Sequence, residues 1–117
     1  MSRAMTEIDH FASPTLEVME SRDPDGILRI ALSGELDIAV AERLSTRLDQ
    51  LSLNGARARV DLSRLVFIDL IGVRALIRAA RHRGRHGEQL LEFGTATAPI
   101  VRRVIDLAGA APILWPH

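Results

Sequence analysis

Apolar and polar positions change period several times along the chain, and each change marks an element. Leu16 and Val18 alternate with Glu17 and Met19, the spacing of a half-buried strand. Asp23-Pro24-Asp25-Gly26 supplies a turn, because proline presets one dihedral and glycine accepts a positive one. Beyond it Leu28, Ile30 and Leu32 alternate with Arg29 and Ala31, so the two runs predict a β-hairpin. Ser33-Gly34-Glu35-Leu36-Asp37 breaks the alternation, and Asp37 is placed to cap a helix. From Ile38 to about Leu53, Val40, Leu44, Leu48 and Leu51 recur at helical spacing. Glu42, Arg43, Arg47 and Asp49 take the wet side, and Asn54-Gly55 is the stop.

Period two returns from Arg57 to Leu62, with Ala58, Val60 and Leu62 on one face. The apolar run Leu65 to Ile68 then meets Asp69, a second N-cap. A second helix is expected from Leu70 to about Arg83, with Val73, Leu76, Ile77 and Ala80 inward and Gly84 ending it. Gln89 to Phe93 reads as a strand. Thr97 and Pro99 open a third helix that turns Val101, Val104, Ile105 and Ala108 inward, with Gly109 past its end. Ile113 to Trp115 is read as a last short strand at the sheet edge. The order β-β-α-β-α-β-α-β predicts an α/β fold, a mixed sheet of four to five strands with helices packed mainly on one side. Residues 1–14 carry no period and are expected to be a flexible arm, from which Ile8 and Phe11 could dock; 15–117 are one domain.

Composition narrows the function by exclusion. At 117 residues, 47% apolar and 26% charged, the chain has enough for one modest core. Fifteen basic residues, all arginine, balance fifteen acids, which favours neither nucleic acid nor insertion at an anionic membrane. There is no cysteine, hence no disulfide and no thiolate chemistry. Apolar runs are too short to span a bilayer and no signal peptide is read, so the cytoplasm is the expected location. No phosphate loop, dinucleotide fingerprint or nucleophile elbow is present, and the expectation is neither an enzyme nor a cofactor carrier.

Two polar clusters remain. His82 and His86 stand four apart with Glu88 near, as metal ligands on one helix face would. Arg81, Arg83 and Arg85 surround them and Gly84 and Gly87 end the helix, so the pair reads as an ordinary polar terminus and no metal is expected. Arg74, Arg78, Arg81 and Arg85 fall at helical spacing. They read as a solvated face, with a docking stripe for an acidic partner as the alternative.

Two segments carry a family resemblance: Leu32-Ser33-Gly34-Glu35-Leu36-Asp37, and Asp61-Leu62-Ser63 followed by Phe67-Ile68-Asp69-Leu70-Ile71-Gly72-Val73-Arg74-Ala75-Leu76. Together, with the element order over residues 16 to 115, they resemble the STAS domain of sulphate transporters and anti-sigma factor antagonists. The resemblance implies a STAS-like fold and a bacterial partner switch in transcription regulation. Typical members bind an anti-sigma factor, often a serine kinase, and so release a sigma factor. It also implies a partner-binding corner of Ser33, Glu35, Asp37, Asp69, Leu70, Ile71, Gly72 and Arg74. The family's kinase phosphorylates a serine directly after the aspartate at this helix start. Here Leu70 holds the phosphoacceptor position, with no hydroxyl, and Ile71 follows it. The alternative is a STAS subunit of another assembly, such as the cytoplasmic partner of a lipid-transport ATPase. The partner, its sigma factor and the oligomeric state are not written in the sequence.

Overall fold

In the computed structural model, which describes residues 8–12 and 15–116, a five-stranded sheet carries its helices on one face. The strands are β1 (Ile8–Ala12), β2 (Leu16–Arg22), β3 (Leu28–Leu36), β4 (Ala58–Ile68) and β5 (Leu91–Phe93), hydrogen-bonded in that order. The helices are α1 (Ile38–Leu53), α2 (Leu70–Ala80), α3 (Pro99–Leu107) and the single turn α4 (Ala111–Leu114). β1 pairs antiparallel with β2 and β2 with β3, whereas β4 lies parallel to β3 and β5 parallel to β4. The mixed sheet follows from the connections. A four-residue turn can only reverse the chain, and a helix between strands returns it in the same direction.

One face of the sheet is buried. Leu16, Val18, Leu28, Ile30, Leu32, Leu36, Val60, Leu62, Leu65 and Ile68 pack beneath Leu44 and Leu48 of α1, Val73 and Leu76 of α2, and Val101 and Ile105 of α3. Ile77, expected among the inward residues of α2, is only partly buried. On the helix-covered side β2 also buries Glu20, whose two carboxylate oxygens accept from Arg47 Nε and Nη2 of α1 at 2.7 Å each. A bidentate pair of this kind satisfies a charge that burial would otherwise penalise. Donating these hydrogen bonds to Glu20 drives the Arg47 guanidinium pKa up further, against the opposing pull of burial.

The structure corrects four sequence expectations. Residues 57–62 and 65–68 belong to one strand, β4, rather than two pieces. Two extra residues are accommodated opposite β3, where register slips between Ala31 and Ser33 and again between Gly34 and Glu35. Each bulge turns one additional residue outward, so inward positions run 58, 60, 62, then 65 and 68. The second helix stops at Ala80, not Arg83: Arg83 turns back to donate to Ala80 O at 2.7 Å and bridges to Gln89 in a tight turn. The Ile113–Trp115 strand is absent. Pro112 instead sits in the first turn of α4, where its fixed φ suits a helix, and the Trp115 indole donates to Phe93 O at 3.0 Å. Finally, the arm is not wholly outside the fold, since Ile8–Ala12 pair with β2 as an edge strand, with an irregular register at Asp9 to Phe11. Residues 1–7 and 13–14 of the arm, and His117, lie outside the described residues.

Candidate functional site: a corner of two helix starts

β3 and β4 are parallel neighbours, and each feeds a helix from its C-terminal end. The starts of α1 and α2 therefore meet at one corner. Asp37 and Asp69 occupy the two N-cap positions in extended conformation. Asp37 Oδ1 accepts the Ala39 N–H at 3.0 Å, an ordinary cap. Asp69 does more. Its Oδ1 accepts the Gly72 N–H of its own helix at 2.8 Å, and its Oδ2 accepts the Ile38 N–H of the other helix at 3.0 Å. One carboxylate thus ties both helix starts together, and its backbone N–H donates to Leu36 O at 3.2 Å.

Glycine is required twice here. A Cβ on Gly72 would lie 2.5 Å from Leu36 O and 2.9 Å from Ile68 Cγ1, so only glycine lets α2 approach the end of β3 this closely. Gly34 has φ +110°, and a Cβ there would run into Thr15 O. The next residue, Glu35, donates its N–H to that same carbonyl at 2.6 Å. The Ser33–Asp37 segment is thereby pinned to the start of β2.

With the cap carboxylates occupied, what the corner shows to solvent is mainly apolar. Leu70 is 53% exposed and Ile71 37%, while Ile38 at the start of α1 is 69% exposed. The second bulge of β4 adds Val66 and Phe67, both exposed. Phe67 stands across from Glu35 in the β3–β4 register, and Ile68 across from Leu36. Most of the residues picked from the sequence meet here. Glu35, Leu70, Ile71 and Arg74 are exposed, Ser33, Asp37 and Asp69 half-buried, and Gly72 buried. Ile38, Val66 and Phe67 were missed, although Leu65-Val66-Phe67-Ile68 is too continuous for a strand with one wet face.

The other polar clusters resolve into structural contacts. Asp49 of α1 accepts from Arg78 at 2.8 Å and meets His82 Nε2 at 2.8 Å, tying the two helices at their far end. Arg81 is the C-cap of α2 and Arg85 lies in the turn beyond, so the four arginines form no continuous stripe. Among the described residues no group of three histidines or carboxylates could hold a metal ion, and no helix is long and apolar enough to cross a membrane.

Over residues 19–114 the chain matches the family model described as Mlab, STAS domain. The chain belongs to the STAS domain family. Comparison with curated protein sequences gives no match. Among solved structures, an anti-sigma factor antagonist from Mycobacterium paratuberculosis superposes with TM-score 0.72 at 22% identity, covering 92% of each chain. Unphosphorylated SpoIIAA, likewise an anti-sigma factor antagonist, gives TM-score 0.66 at 23% identity over 81% of this chain and 83% of that one. The phosphorylated Bacillus cell fate determinant SpoIIAA gives 0.61 at 22% identity, over 81% of this chain and 86% of that one. At such identities the likeness establishes the STAS fold, with its mixed sheet and helices. In this STAS domain the residue after the cap Asp69 is leucine.

Proposed function

We propose that this STAS domain is a protein-binding module that antagonises an anti-sigma factor, and that it does so without a phosphorylation switch. The observation that carries the reading is the exposed Leu70–Ile71 tip directly after Asp69, where antagonists of this family carry their phosphoacceptor hydroxyl. A free helix start ordinarily attracts phosphate, and phosphate there would repel an acidic partner surface. Leucine has no hydroxyl to accept a phosphoryl group. The corner formed by Ser33, Glu35, Asp37, Asp69, Leu70, Ile71, Gly72 and Arg74 would then be a standing contact surface, with Leu70 as an apolar anchor and the acids and Arg74 as its polar rim. The antagonist is always on, limited by its own concentration, and acts in the cytoplasm as a non-catalytic partner of a kinase-like anti-sigma factor.

A second reading, a STAS subunit of another assembly such as the cytoplasmic partner of a lipid-transport ATPase, is kept by one observation. The matching family model is described by the name Mlab rather than as an antagonist. Affinity capture from the native cell separates the two. Recovery of a sigma-regulatory kinase that binds the purified chain supports the first, and a transporter ATPase replaces it with the second. Incubating the captured kinase with ATP and the chain should leave its intact mass unchanged. A phosphate mapped to Ser63 or another hydroxyl near the corner would end the always-on reading.

A further inference from the structure

The charges around the apolar corner are divided by side. On the β3–α1 side stand Glu35, across from Phe67, and Glu42, one turn along α1 from Ile38. On the β4–α2 side stand Arg64, just before the second bulge of β4, and Arg74, one turn along α2 from Leu70. All four side chains are exposed, and among the described residues none of them takes part in an ion pair. The two aspartates between them are occupied by helix caps. The corner is therefore an apolar centre of Ile38, Phe67, Leu70 and Ile71, with unpaired acid on one flank and, on the other, Arg74 unpaired and Arg64 near Asp61.

Such an arrangement is complementary to itself. A second copy turned by 180° about an axis through the apolar centre sets its acidic flank on the basic flank of the first, and the reverse contact follows by symmetry. Apolar side chains meet apolar side chains along the axis, where desolvation favours association. We infer that the corner is the contact surface of an isologous homodimer, its second occupant being another copy of this chain, with Arg74 of each copy facing Glu35 of the other. The inference needs no anti-sigma factor and goes beyond the proposed antagonism. If that reading also holds, dimer and partner compete for one surface, and self-association withdraws a corner that phosphorylation cannot reach.

Symmetry makes the test specific. Each single reversal, Arg74→Glu or Glu35→Arg, turns two attractions across the axis into two repulsions. Each should weaken dimerisation about tenfold in sedimentation equilibrium at moderate salt. The double variant carrying both reversals puts arginine opposite glutamate again, so its dimerisation should return close to that of the unaltered chain. No partner of another sequence would show that rescue. Circular dichroism and thermal melts of all three variants verify that these exposed changes leave the fold intact. The inference is overturned by a chain that stays monomeric across the concentration series, by a dimer insensitive to both single reversals, or by a double variant no better than the singles. None of these results bears on capture of a sigma-regulatory kinase, so the two readings fail separately.

Discussion

The open face of the sheet and the corner at the helix starts both face solvent, but their exposed groups are satisfied in different ways. On the open face, charges answer one another. Asp23 takes Arg59 at 3.1 Å and Arg29 at 3.6 Å, Arg57 lies 3.8 Å from Glu92, and Asp61 accepts the Ser63 N–H at 2.8 Å. Such pairs each contribute little, yet they keep this part of the surface well solvated. At the corner the Asp37 and Asp69 carboxylates cap the backbone, and what remains exposed at its centre is Ile38, Phe67, Leu70 and Ile71, flanked by charged side chains. Polar groups facing the protein and apolar groups facing water is the inverse of a solvated surface. A fold that needed only to stay soluble would not be arranged in this way. The difference supports the proposal that the corner, not the larger sheet face, is the contact surface for another protein.

The comparison is broken most directly by charge at its apolar centre. Leu70→Glu would force a carboxylate into any contact made there and should weaken association with a captured partner by about 3 kcal/mol. Arg59→Glu on the open face should leave the same affinity unchanged. Calorimetry with both variants decides the matter. Equal losses would mean that the sheet face shares the interface, and no loss from Leu70→Glu would move the contact elsewhere.

A smaller effect is expected in stability. Asp69→Ala removes the acceptor for two helix starts at once, and at near 1 kcal/mol for each cap the loss should be about 2 kcal/mol in urea denaturation. Asp37→Ala removes one side-chain cap and should cost about half as much. Equal losses from the two variants would show that the bond from Ile38 N–H to Asp69 contributes nothing.

The sequence was legible where one period or one cap rules a segment, and opaque where two periods meet. α1 runs from Ile38 to Leu53 as its spacing foretold, with Asp37 capping and Asn54 at the C-cap. The mixed α/β sheet followed from the order of such segments, and the STAS resemblance from the two motif segments at residues 32–37 and 61–76. β4 was misread because each bulge adds a residue, and a period-two reading fails at Ser63-Arg64. The same failure hid Val66 and Phe67, which a regular strand would not both have exposed. Asp69 could be read as a cap from its place before Leu70, but its second bond crosses 31 residues to Ile38, a contact that only the parallel register of β3 and β4 creates. The end of α2 was overestimated because arginine and histidine are compatible with both helix and turn; one tertiary and one local contact decided the matter, His82 being drawn to Asp49 and Arg83 back to Ala80 O.

The smallest effect belongs to the open face and depends on pH. Burial alone would raise the Asp61 pKa. The hydrogen bonds from Ser63, together with the nearby Arg29 and Arg64 charges, outweigh it and hold the carboxyl below the usual range. A carboxylate whose folded pKa is depressed stabilises the fold above its unfolded pKa, about 3.9, and that contribution disappears as pH falls through the lower folded value. Asp61→Asn should therefore be slightly less stable than the unaltered chain at neutral pH, by an amount independent of pH above about pH 5. The gap should narrow below about pH 4, as the wild-type carboxyl takes up its proton and becomes uncharged like the amide. Because the group is largely exposed, salt should shrink the neutral-pH gap as well. Urea midpoints for both proteins at neutral pH and near pH 3 measure it. A gap that stays constant across that range would mean that the Asp61 interactions are indifferent to its charge, and that the open face owes its solvation to hydrogen bonding rather than to paired charge.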